Sequence, residues 1–219
     1  MLEIRNLDVS IGPVSILRQV ALNLDPQEMA GLIGRNGAGK TTLMRSIMGL
    51  LPTRGGQITF DGAELTAAPP WSRARMGIGY MPEDRRLVPE LTVQENICIP
   101  SWAMKRADTQ SRWHEVCRMI PEVEAFAARK AQQLSGGQQK LVAIGRALMC
   151  GSKLLLLDEP FEGVAPALAR RIAEVIAGLK SSGLSIIVAE SDLRHSSELL
   201  DKVFHIERGA VSNSGQRVK

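Results

Sequence analysis

Aromatic residues are scarce in this chain: three tryptophans, four phenylalanines and one tyrosine among 219 residues, or 4%. So few rings leave little on which a single-stranded nucleic acid could stack. Charge makes no stronger case for one. The formal net charge is only +4, and the basic pairs Arg85-Arg86, Lys105-Arg106 and Arg170-Arg171 are dispersed, with no basic run. No nucleic-acid partner is expected. Cysteine is limited to Cys98, Cys117 and Cys150. An odd number without metal-ligand spacing and without a nearby histidine excludes a disulfide framework and disfavours thiol catalysis; reduced, mostly buried thiols are expected. No apolar run approaches the roughly 18 residues that span a bilayer. The opening Met1-Leu-Glu-Ile-Arg does not read as a secretory signal. Internal repeats and low-complexity linkers are also missing. What remains, 44% hydrophobic and 23% charged residues, is the composition of a soluble globular chain with one large domain or two small ones.

Leu2, Ile4, Leu7, Val9 and Ile11, then Ile16, Val20, Leu22 and Leu24, fall in a strand-like spacing broken by Gly12-Pro13 and Asp25-Pro26. Met29 to Ile33 reads as a short buried strand. Leu43, Ile47, Leu50 and Leu51 then share one helical face up to Pro52. Residues 57–60 read as a strand and Asp61-Gly62 as a tight turn. Between residues 64 and 134 prolines divide a weaker pattern, in which stretches near 93–106 and 108–129 look helical. Order returns with a helix over 138–150, a strand over 154–157, a helix over 168–179, and strands over 185–189 and 203–206. Alternating strands and helices with buried strands predict an α/β fold around a largely parallel sheet.

Three motifs carry chemistry. Gly34-Arg35-Asn36-Gly37-Ala38-Gly39-Lys40-Thr41-Thr42 fits G-x-x-x-x-G-K-[ST] between an expected strand and an expected helix. Its glycines let backbone N–H groups converge on phosphate oxygens, the helix end adds its dipole, Lys40 supplies a point charge and Thr41 a hydroxyl for Mg²⁺. Leu154 to Leu157 run into Asp158-Glu159-Pro160. A strand ending in carboxylates beside such a loop places Asp158 to orient the magnesium shell and Glu159 to accept a proton from attacking water. Leu134-Ser135-Gly136-Gly137-Gln138 precedes a helix. It reads either as a simple cap or as a second anion-binding N-terminus.

In this order and spacing, the three motifs resemble the nucleotide-binding domain of ATP-binding cassette proteins over nearly the whole chain. The resemblance implies a P-loop NTPase fold with a mostly parallel core sheet, an N-terminal antiparallel β-subdomain and a helical insertion. A single domain over 1–219 is expected, with the core and β-subdomain near 1–80 and 135–219 and the helical subdomain near 81–134. Two such domains pair head to tail in this family, so that Leu134, Ser135, Gly136, Gly137 and Gln138 meet the ATP held by the partner's P-loop.

The stretches from Tyr80 to Asn96 and from Glu159 to Pro166 are similar to the smaller ATPase of branched-chain amino acid importers and of relatives carrying urea and amides. That likeness implies an ATP-hydrolysing subunit on the cytoplasmic face of the inner membrane. Its expected partners are a second ATPase subunit, integral membrane permeases and a periplasmic solute-binding protein. The competing expectations are a non-transport ATPase of the same family and a nucleotide-binding regulatory subunit. Three positions depart from the common pattern. Ile11 stands where an aromatic residue often stacks on adenine. Glu83 replaces a glutamine, and reads equally as a Mg²⁺ ligand or as a contact to the membrane subunit. Ser191, in Glu190-Ser191-Asp192, replaces a histidine, so hydrolysis at this site is expected to be slow or asymmetric. His195, one helical turn on, reads as a surface histidine. The groove taking the membrane subunit is expected near residues 83–105, where Leu87, Val88, Leu91, Ile97, Ile99 and Trp102 are apolar.

Overall fold

The computed structural model describes residues 1–213. β1 (Leu2–Ile11) and β2 (Val14–Leu24) form an antiparallel hairpin around Gly12-Pro13. β3 (Met29–Ile33) leads into α1 (Lys40–Ile47). β4 (Gly55–Phe60) and β5 (Ala63–Glu64) are joined by Asp61-Gly62. Both turn residues have positive φ, 49° and 78°, as the tight hairpin turn whose twist matches its strands demands. There follow α2 (Pro70–Arg75), β6 (Ile78–Met81), α3 (Val93–Ala103), α4 (Thr109–Met119), α5 (Pro121–Ala125) and α6 (Gly136–Cys150). The chain then runs through β7 (Leu154–Asp158), α7 (Pro166–Ser181), β8 (Ser185–Glu190), β9 (Lys202–Glu207) and β10 (Ala210–Asn213).

These strands make two sheets. An antiparallel one has the order β2-β1-β4-β5, and a six-stranded one the order β10-β9-β3-β8-β7-β6, parallel except for β10. β3, β7 and β8 are buried along their whole length, which is why they read as continuous apolar runs. Strand alternation divides them between two cores. Leu154 and Leu156 of β7 pack with Leu43, Met44 and Ile47 of α1 and with the antiparallel sheet. Leu155 and Leu157 pack with α3, α6 and α7 on the opposite face.

Two expected helices are corrected in extent. The stretch near 93–106 is helical only to Ala103, and the stretch near 108–129 is two helices. Ile120 is extended (φ −132°) ahead of Pro121, which removes a helical N–H and pushes the preceding residue out of the α region. β6, inside the weakly patterned segment, is a short buried edge strand of the main sheet. The carboxyl ends of β3, β8 and β7 lie side by side, with Ile33 opposite Glu190 and Asp158 opposite Ala189. The chain crosses between the two faces of the sheet here, the edge at which open α/β sheets bind ligands.

Candidate functional site

The loop from Gly34 to Gly39 leaves β3 and turns into α1. Gly37 and Gly39 have φ of 81° and 115°, a region that costs an L-residue with a Cβ. Gly34 is required for a different reason: a Cβ there would lie 2.3 Å from the Ile206 carbonyl oxygen. No side chain caps α1, so the N–H groups of its first turn have no partner within the helix. They face a cavity of about 380 Å³ lined by Ile16, Asn36, Gly37, Gly39, Lys40, Thr41, Thr42, Glu83 and Glu159.

Lys40 is 5% exposed. Its Nζ donates to the carbonyls of Gly34 (2.5 Å) and Arg35 (3.2 Å) and pairs with Glu159 Oε1 at 2.9 Å. Thr41 Oγ1 donates to Asp158 Oδ1 (3.2 Å), and the Tyr80 hydroxyl donates to Asp158 Oδ2 (3.2 Å). Burial pushes the Asp158 carboxyl up to about 6, against these two hydrogen bonds and with help from the charges of Glu83 and Glu159. Glu83 is raised too, by partial burial first and then by Glu162 and Glu159. A cation in the cavity would relieve this carboxylate crowding. Among the described residues no group of three or more His, Cys, Asp or Glu could by itself hold a metal ion. The donors present, one hydroxyl and one or two carboxylates, are what Mg²⁺ uses when phosphates and waters complete its octahedron.

Glu159 occupies the left-handed region (φ 50°), at a cost of about 1 kcal/mol for a residue with a Cβ. Its N–H donates to the Ala189 carbonyl (3.0 Å), and its own carbonyl accepts from Lys140 Nζ (2.6 Å). Ser191 Oγ lies 3.1 Å from Glu159 Oε1 and 2.9 Å from Asn36 Oδ1. A serine hydroxyl has one hydrogen, so both contacts are satisfied together only with the Asn36 amide turned over, its N–H donating to Ser191. Ser191 therefore touches the carboxylate directly. His195 is exposed and packs on Phe161 at 5.4 Å between ring centroids, away from the cavity lining.

Ile11 is 49% exposed at the β1–β2 turn and is not part of the cavity wall; the aliphatic wall is Ile16. Ile16 has no motif around it, and only its place in the strand after the turn hints at it. The segment Leu134 to Gln138 is likewise outside the cavity. Ser135 and Gly136 are exposed and Leu134 is buried. Ser135 Oγ accepts the Gln138 N–H (3.3 Å), while Gln138 Oε1 accepts the Ser135 N–H (3.0 Å), a reciprocal cap. That cap uses a lone pair and leaves the Ser135 hydroxyl hydrogen free to donate outward. Arg85 Nη1 reaches the Gly136 carbonyl (3.2 Å), and Arg146 donates to the carbonyls of Arg85 and Arg86. These bonds tie the loop after Glu83 to α6 at two places, its first residue and Arg146 near its end. Sequence reasoning missed Arg146 and Lys140 altogether, and named Glu190 beside Ser191 without giving it a role.

A glycine-rich loop gripping a cavity between a buried parallel strand and a helix, with an aspartate at the end of another strand of that sheet, defines a P-loop NTPase. The family model for ABC transporters matches residues 17–162. The high-affinity branched-chain amino acid transport ATP-binding protein BraG of Pseudomonas aeruginosa is 34% identical, over 96% of this chain and 91% of its own length. The lipopolysaccharide export system ATP-binding protein LptB of Haemophilus influenzae is 32% identical, over 98% of this chain and 90% of its own. A solved dimeric bacterial ABC transporter cassette superposes with a TM-score of 0.87 at 25% identity, covering 97% of each chain. The chain belongs to the ABC transporter family and is an ABC ATPase.

Proposed function

We propose that the chain is the ATP-binding and hydrolysing subunit of an ABC importer for branched-chain amino acids or similar small polar solutes. The observation that carries the ATPase part is the convergence of Lys40, Thr41, Asp158 and Glu159 on one cavity whose other wall is uncapped helix N–H groups. The triphosphate lies along the amides of residues 37–42, and the base rests against Ile16 by dispersion rather than ring stacking. Thr41, Asp158 and Glu83 would hold Mg²⁺, which neutralises phosphate charge when bound. Lys40 exchanges its two carbonyls and Glu159 for phosphate oxygens. That exchange frees the Glu159 carboxylate to accept a proton from the water attacking the γ-phosphorus, and the bond to the ADP oxygen breaks. Ser191 stays on Glu159 and orients it.

The signature residues Leu134, Ser135, Gly136, Gly137 and Gln138 lie away from this chain's own cavity, which supports a head-to-tail dimer in which they meet the partner subunit's γ-phosphate. The dimeric cassette of similar fold supports pairing with a second cassette. No helix among the described residues is long and apolar enough to cross a membrane. In this reading the chain is a peripheral subunit on the cytoplasmic face, attached to permeases and served by an extracytoplasmic binding protein. BraG and the stretches at 80–96 and 159–166 favour import; LptB, an export ATPase, is nearly as similar. Deleting the gene and following both directions separates the two. Lost uptake of labelled leucine, urea or amide supports the importer. Intact uptake of all three with a defect in lipid export overturns it.

A further inference from the structure

Lys140 is 5% exposed, in the second turn of α6 and five residues beyond Ser135. Burial lowers the affinity of its amine for a proton. Burying such a group costs free energy that only its charge and hydrogen-bond partners offset. Its Nζ donates to the carbonyl of Glu159 at 2.6 Å. Glu190, 7% exposed, has Oε1 without a hydrogen-bond partner. Glu190 and Lys140 each favour the charged form of the other.

We propose that Lys140 is a positioning residue that holds the backbone of Glu159 in its left-handed conformation and joins it to the signature end of α6. This rests on the reading of Glu159 as the base and Ser135 as the partner-phosphate contact. Before nucleotide arrives, the Glu159 side chain is held by Lys40 and Ser191. Phosphate takes Lys40 away just when the carboxylate must be in register with water. What then fixes Glu159 is Ser191 and three bonds to its backbone: its N–H donates to the Ala189 carbonyl of β8, and its carbonyl accepts from Lys140 of α6 at 2.6 Å and, at the longer distance of 3.3 Å, from the Glu162 N–H. Lys140 rides on the helix whose first turn carries Ser135 and Gly136. Engagement of the partner's ATP at that end is therefore transmitted along one and a half helical turns to this chain's own base.

The test uses the full chain with ATP and Mg²⁺, comparing wild type with K140M, K140M/E190Q and E159Q. Steady-state kcat and KM are read together with amide hydrogen exchange of the segment 158–163. The expected result is a fall in kcat of at least tenfold in K140M, KM within twofold, and faster exchange in 158–163. K140M/E190Q, which buries no charge and so guards against simple misfolding, stays as slow as K140M. A K140M enzyme within twofold of wild-type kcat overturns the proposal. So does recovery of wild-type kcat in the double variant, because Lys140 would then only balance Glu190. Wild-type turnover in E159Q is a separate failure, that of the underlying reading of the base.

Discussion

At the scale of single residues, the site is organised by charges that need one another. Lys40 and Glu159 are 5% and 6% exposed at their side chains, so removing either strands the other in low dielectric. Glu190 is buried as well, 7% exposed. Burial first, then the charges of Glu159 and Asp192, push its carboxyl up to about 8, while Lys140 and the Phe161 N–H oppose the rise. A raised folded-state value means that the native chain holds a proton which the unfolded chain has lost. Glu190 therefore contributes stability that is complete at pH below its unfolded value and disappears as pH climbs towards 8. E190Q should remove that dependence. The wild type is expected to lose about 1–2 kcal/mol more than E190Q between pH 6 and pH 8.5 in urea unfolding; parallel losses in the two proteins would contradict it. Ser191 can hold Glu159 but cannot carry a positive charge towards the γ-phosphate. S191H is expected to raise turnover several-fold in the assembled transporter, and an unchanged rate would show that serine suffices there.

At the scale of elements, the strand–loop–helix from Met29 to Ile47 shows what each glycine is for. G34A sets a Cβ against the Ile206 carbonyl and is expected to cost about 2–4 kcal/mol by overpacking. G37A meets nothing within 4 Å. It pays only for its positive φ, about 1 kcal/mol, while crowding the phosphate path. Thermal melting beside ATP titration separates the two: G37A is expected to melt within a few degrees of wild type yet bind ATP at least tenfold more weakly. A G37A protein with normal affinity would remove the loop from the phosphate path. This element was legible from sequence because its glycines, lysine and threonine sit at fixed offsets between a buried strand and an amphipathic helix. The strand from Leu154 to Asp158 was legible for the same reason, its apolar run stopping at a carboxylate. β6 was not, because Ile-Gly-Tyr-Met is too short to show a period, and its membership of the sheet is decided by pairing with β7. Ile16, Lys140 and Glu190 were hidden for a related reason. Each looks ordinary in its own segment and acquires meaning only where β2 reaches the cavity and where α6 and β8 meet at the backbone of Glu159.

At the scale of the whole molecule, one parallel sheet separates two cores, and its carboxyl edge carries the chemistry between them. The antiparallel sheet and α1 form one side, and α3 to α7 the other. Loops and helices from both sides meet at Glu83, Glu159 and the start of α6, so motion of one part against the other alters the site. Val88 and Trp102, 39% and 51% exposed, leave apolar surface on the helical side in the stretch expected to meet the membrane subunit, whereas Ile97 is core. V88D/W102D is expected to leave ATP binding by the isolated chain unchanged while weakening capture of the permeases from membranes at least tenfold; full capture would move that surface elsewhere. The signature segment lies outside the lining of this chain's own cavity, and in the proposed reading a second cassette completes the ATP site. The most direct measurement is size-exclusion chromatography of E159Q and wild type after incubation with ATP and Mg²⁺, with the co-eluting nucleotide identified. E159Q is expected to elute at twice the chain mass carrying unhydrolysed ATP, and wild type to release ADP and return to the single-chain position. Identical elution of the two proteins, with no ATP retained by E159Q, would contradict an ATP site closed by a second chain and fired by Glu159.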